Sequence, residues 1–115
     1  MNIDFLWKEQ LVFYNELIEK YKWNQKPMLD LVEKLIDNRI SKKYYPSNSH
    51  ELLGLSKTEK HEKRRVNPMV YIGYSNYYNS FEIYYQNGQG NTVKEEKSIA
   101  EINDDILKRI ENWLT

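Results

Sequence analysis

Residues 3 to 22 carry apolar side chains at steps of three and four: Ile3, Trp7, Leu11, Tyr14, Ile18 and Tyr21. Leu6, Phe13 and Leu17 widen this stripe, and Lys8, Glu9, Glu16, Glu19 and Lys20 fill the opposite side. That period predicts an amphipathic helix, with Asn2 or Asp4 as its cap. A second helix is expected to begin at Pro27, where the missing N–H costs nothing, with Met28, Leu31, Val32, Leu35 and Ile36 inward. Pro46 disfavours helical geometry at Tyr45, so this helix should fade near Lys42 or Lys43. The two helices are expected to form an antiparallel hairpin.

The period then changes from helical to alternating. Val70, Ile72 and Tyr74 fall on one face of a strand over Val70–Ser75, and Phe81, Ile83 and Tyr85 on one face of a second over Phe81–Gln86. Six of the ten tyrosines lie between Met69 and Gln86, the composition of a half-buried pleated surface. Asn87-Gly88 marks a tight hairpin turn into a third strand, Thr92 to Lys97, polar on both faces as an edge strand should be. Ser98-Ile99-Ala100-Glu101 matches a capping box ahead of a last helix with Ile102, Ile106, Ile110 and Trp113 along its stripe. Residues 44 to 68 hold no period: Tyr44 to Ser49 is turn-like, Ser49 could cap a short turn ended by Gly54, and 57 to 65 is a charged loop. The order α-α-β-β-β-α predicts an α+β fold, a small antiparallel sheet packed on one face by helices. The 115 residues suit a single domain, 1–115.

Composition narrows the function classes. There is no cysteine, which excludes disulfides and thiolate metal sites and suits a reducing, cytoplasmic setting. The first residues carry no basic segment and no long apolar run, so neither an export signal nor a membrane span is expected. Net charge is zero, but residues 40 to 70 hold seven basic and three acidic side chains. A neutral chain with one basic patch is a weaker nucleic-acid candidate than a chain basic throughout. His50 and His61 stand eleven apart without metal-ligand spacing, and no metal or cofactor is expected.

Two constellations carry chemistry. If the hairpin closes on Gly88-Gln89, Glu82 faces Glu95 and Lys97 follows two residues on along the same face. Paired carboxylates of that kind can hold Mg²⁺. An acid on one strand, Glu-x-Lys on the next and then a helix is similar to the core of restriction-endonuclease-like nucleases. That resemblance spans residues 70 to 114 and implies a metal-dependent nuclease using Glu82, Glu95 and Lys97. The other constellation is the set of outward tyrosines, Tyr71, Tyr77, Tyr78 and Tyr84, beside Lys63, Arg64 and Arg65. Tyrosine is enriched at protein interfaces, since it offers rigid area and a hydroxyl; beside basic residues it could also stack single-stranded bases.

The leading expectation is a non-enzymatic domain that binds another protein through the Tyr-rich sheet face and the loop of residues 57 to 65. In size and architecture it resembles bacterial immunity or inhibitor proteins. The alternatives are the nuclease and a nucleic-acid-binding module; the same face could also be buried in a homodimer.

Overall fold

The computed structural model describes residues 2–59 and 66–115. Helix α1 (Ile3–Glu19) and helix α2 (Lys26–Asp37) are followed by a 3₁₀ turn at Ile40–Lys42. Five strands come next: β1 (Tyr45–Ser49), β2 (Leu52–Ser56), β3 (Met69–Ser75), β4 (Ser80–Gln86) and β5 (Thr92–Ile99). Helix α3 (Asp104–Leu114) closes the chain. The sheet is antiparallel throughout, in the order β1-β2-β3-β4-β5. The fold is α+β, as the periodicities predict, with two strands more than they show.

The core lies between one face of the sheet and the helices. Leu53, Leu55, Val70, Ile72, Phe81, Ile83 and Tyr85 form the buried side of β2, β3 and β4. They alternate with outward residues, and the registers Leu53↔Ile72↔Ile83 and Leu55↔Val70↔Tyr85 align them across the strands. Trp7, Tyr14 and Leu17 of α1, Met28, Leu31, Val32 and Leu35 of α2, and Ile106, Leu107, Ile110 and Leu114 of α3 complete the core. Asn2 caps α1 by accepting from the Asp4 N–H at 2.8 Å. Among the described residues, no helix is long and apolar enough to cross a membrane.

The hairpin β1–β2 replaces the turn expected over residues 44 to 54. Helix α1 explains why so polar a segment is held extended. Trp7 Nε1 donates to the Tyr44 carbonyl at 3.0 Å, and Tyr14 Oη donates to the Glu51 carbonyl at 2.9 Å. Between them the Gln10 and Asn48 side-chain amides donate to each other, both at 2.9 Å. Trp7, Gln10 and Tyr14 lie along one face of the helix at i, i+3 and i+7, so one helix face clamps the whole hairpin. Pro46 is tolerated because β1 is an edge strand. Gly54 is required by its neighbours, since a Cβ there would lie 2.7 Å from both Ser47 Oγ and the Tyr71 ring.

The last helix starts later than the capping box suggests. Strand β5 runs through Ile99, with Ser98 at φ 61° where the ladder shifts register. Asn103 is the cap, accepting from the Ile106 N–H at 3.0 Å, and Asp104 and Asp105 supply the acidic first turn. Trp113 Nε1 then donates to the Gln86 carbonyl at 2.9 Å, which ties α3 to β4. From α3, Arg109 Nη2 reaches Glu96 Oε1 of β5 at 2.8 Å and holds that carboxyl below its ordinary range.

Candidate binding surface

The expected pairing of Glu82 with Glu95 is corrected by the register. Glu95 stands opposite Tyr84, and Glu82 pairs with Gly73 on its other side. The cause is the turn. Instead of closing on Gly88-Gln89, the chain loops from Asn87 to Asn91, with the Asn87 N–H donating to the Asn91 carbonyl at 3.0 Å. The Asn87 side chain accepts from the N–H groups of Gln89 and Asn91, and Gly90 takes φ 78°. The longer loop and the shift between Tyr85 and Gln86 slide β5 along β4. Glu95 is paired with Lys97 at 3.4 Å on the exposed edge, while Glu82 accepts a hydrogen bond from Tyr84 Oη. Among the described residues, no cluster of three acidic or histidine side chains could hold a metal ion. The direct Glu82–Glu95 pairing is therefore not formed; the two carboxylates instead flank Tyr84.

The outward tyrosines divide into two groups. Tyr71 and Tyr84 are direct cross-strand partners on the face of the sheet away from the helices, both half-buried. Burial, reinforced by the Glu82 carboxylate, pushes the Tyr84 hydroxyl up to about 12. Tyr77 and Tyr78 lie instead on the β3–β4 turn, where their rings meet edge-on at 4.8 Å. They are 85% and 70% exposed. The turn is fixed by the Tyr78 N–H donating to Ser75 Oγ at 3.2 Å and by Asn79 at φ 51°. Lys63, Arg64 and Arg65, and with them most of the charged loop, lie outside the described residues.

Two further aromatic residues join the tyrosines, one of them placed in the core by the helical period and the other outside it. Helix α1 ends at Glu19, and Lys22 at φ 59° reverses the chain. Tyr21, which the helical stripe assigns to the core, is therefore exposed, and so is Trp23; their ring centroids are 6.3 Å apart. The available signal is two large aromatic residues flanking Lys22 in an otherwise polar connection.

These groups line three adjoining hollows that run from the helix end onto the open sheet face. The first, about 400 Å³, is walled by Phe13, Tyr21, Trp23, His50 and the Glu16 and Glu51 side chains. The second, about 440 Å³, shares Trp23 and Glu51 with it and adds Gln25, Tyr74, Asn76, Tyr77 and Glu82. The third, about 290 Å³, shares Leu52 with the second and reaches Tyr71, Tyr84 and Gln86. The loops that meet here, residues 20–25, His50–Glu51 and 76–79, belong to three separate connections. Among the described residues, three carboxylates and no lysine or arginine line the three hollows. Lys20 sits nearby, with Nζ 5.8 Å from the Tyr21 ring centroid. No family model, no curated protein and no solved structure matches the chain.

Proposed function

We propose that this protein is a binding domain for another protein, engaged through the aromatic tract that runs from Tyr21 and Trp23 past Tyr77 to Tyr71 and Tyr84. One observation carries this reading: Trp23 and Tyr77, both exposed, wall the same hollow although they come from different connections. Exposing large aromatic rings in adjacent loops costs contact with water, and a partner that covers them recovers that free energy. Tryptophan and tyrosine also dominate the residues that carry most of the energy of protein interfaces. The signs of charge favour protein over nucleic acid, since Glu16, Glu51 and Glu82 along the tract would repel phosphate. An inhibitor or immunity-type role, in which a small rigid domain blocks its partner, is the form this binding takes in our reading.

The test uses the partner recovered with the domain as bait and then purified alone. Trp23→Ala and Tyr77→Ala should each weaken its affinity by about thirtyfold, equivalent to about 2 kcal/mol, with the urea midpoint unchanged. A partner that binds both variants as tightly as the parent contradicts the assignment.

A further inference from the structure

We propose that the central hollow is a socket for the guanidinium group of an arginine on the partner protein, an inference that rests on the binding reading above. Its walls hold the two complements of such a cation. Trp23 and Tyr77 supply aromatic rings, and Glu51 and Glu82 supply carboxylates. Among the described residues, no lysine or arginine lines it and neither carboxylate is ion-paired. The volume, about 440 Å³, lies within the range of about 300–1,000 Å³ typical of ligand sites.

An independent feature points the same way. Gln25 also lines this hollow, and it is 2% exposed. Its Nε2 donates to the Tyr74 carbonyl at 3.2 Å and to Asn76 Oδ1 at 3.3 Å, which fixes the orientation of the amide. Its Oε1 is buried and accepts no hydrogen bond among the described residues. A buried acceptor without a donor is costly, and a hydrogen bond from a ligand relieves that cost. The site therefore asks for a donor as well as a positive charge. Guanidinium answers both, with five N–H donors in a plane that stacks on aromatic rings. An ammonium has fewer donors and no plane.

The proposal can be tested without the partner. The domain is titrated with Nα-acetyl-arginine amide and, separately, with Nα-acetyl-citrulline amide, which has nearly the same shape and no charge, while ¹H–¹⁵N spectra are recorded. Saturable shifts of the Trp23 indole N–H and the Gln25 side-chain amide are expected with the arginine probe and not with citrulline. Glu51→Gln and Glu82→Gln should each weaken the arginine probe by about fivefold. Both variants keep the local bonds, because Tyr14 uses the Glu51 main-chain carbonyl and the amide oxygen introduced by Glu82→Gln can still accept from Tyr84. Absence of shifts at Trp23 and Gln25, or equal shifts with citrulline, overturns the socket. If the socket fails while Tyr77→Ala still weakens the partner, the fault lies in the socket alone. If the arginine probe titrates as expected while Trp23→Ala and Tyr77→Ala leave partner affinity intact, the socket stands and the protein-binding reading falls.

Discussion

Trp7→Ala should lower the unfolding free energy by about 3–5 kcal/mol, the cost of emptying a large aromatic site in a core. The indole is 1% exposed and fully enclosed by the sheet and helices. Its Nε1 is also the donor to the Tyr44 carbonyl at 3.0 Å, just ahead of β1. Removing it leaves that carbonyl without its donor, a further reason to expect the upper end of the range. A domain of this kind is stable by only about 5–15 kcal/mol, so the variant should sit near its unfolding threshold. Trp7→Phe separates the two contributions: it keeps most of the volume and should cost about 1–3 kcal/mol, the penalty of the unmade hydrogen bond. Urea titrations followed by circular dichroism measure both. A loss below about 1 kcal/mol for Trp7→Ala would mean that α1 does not clamp the β1–β2 hairpin.

Alkali should unfold the domain cooperatively. Tyr14 and Tyr85 are almost wholly buried, at 0% and 1% exposure. Tyr14 Oη donates to the Glu51 carbonyl and Tyr85 Oη to the Glu96 carboxylate, so both use their proton in the fold. Burial, first of all, raises both hydroxyls above the ordinary value of 10.0; the Glu51 charge adds to it for Tyr14, and Glu96 adds to it for Tyr85. Because the folded values exceed the unfolded one, this stability is fully present below pH 10 and is lost as the pH rises through the folded values. Each unit of separation is about 1.4 kcal/mol, so two such groups weigh heavily against a marginal total. The urea midpoint should hold up to about pH 10 and then fall, with phenolate absorbance and loss of structure rising together. Tyr14→Phe should soften the fall. Titration of all ten tyrosines near the ordinary value with the fold intact would contradict this.

How much of this was legible in the sequence depended on where each segment takes its instructions. Helices α1 and α2 and strands β3 and β4 carry complete periods, because each buries one face along its whole length; Val70, Ile72, Phe81 and Ile83 alternate as strands must. Strands β1 and β2 hide behind Pro46 and Gly54, residues that usually end strands. They are held by Trp7, Gln10 and Tyr14, whose partners lie 37 or 38 residues away, and no local pattern reports such contacts. The β4–β5 register followed turn chemistry: the Asn87 side chain and Gly90 selected a longer loop than Asn87-Gly88 alone predicts. That difference moved Glu95 from Glu82 to Tyr84, so the facing pair of carboxylates expected from one register does not form.

The binding surface was legible only in part, for a related reason. Tyr71 and Tyr84 are visible from alternation, and Tyr77 and Tyr78 from their turn-rich setting. Trp23, Gln25 and Glu51 come from other connections, and only the tertiary fold brings them beside Tyr77. The left-handed backbone at Lys22 decides that Tyr21 and Trp23 face outward, and a lysine gives no warning of it.

Site-specific photo-cross-linking tests the aromatic tract most directly. A benzoylphenylalanine would be placed in turn at positions 77, 23 and 12, and irradiated in the cell that makes the protein. Val12 is 59% exposed, as accessible as Tyr21 at 56%, yet lines none of the three hollows. The account predicts one discrete cross-linked partner from Tyr77→benzoylphenylalanine and from Trp23→benzoylphenylalanine, and none from Val12→benzoylphenylalanine. The same adduct from all three positions, or a discrete adduct from position 12 alone, would contradict it.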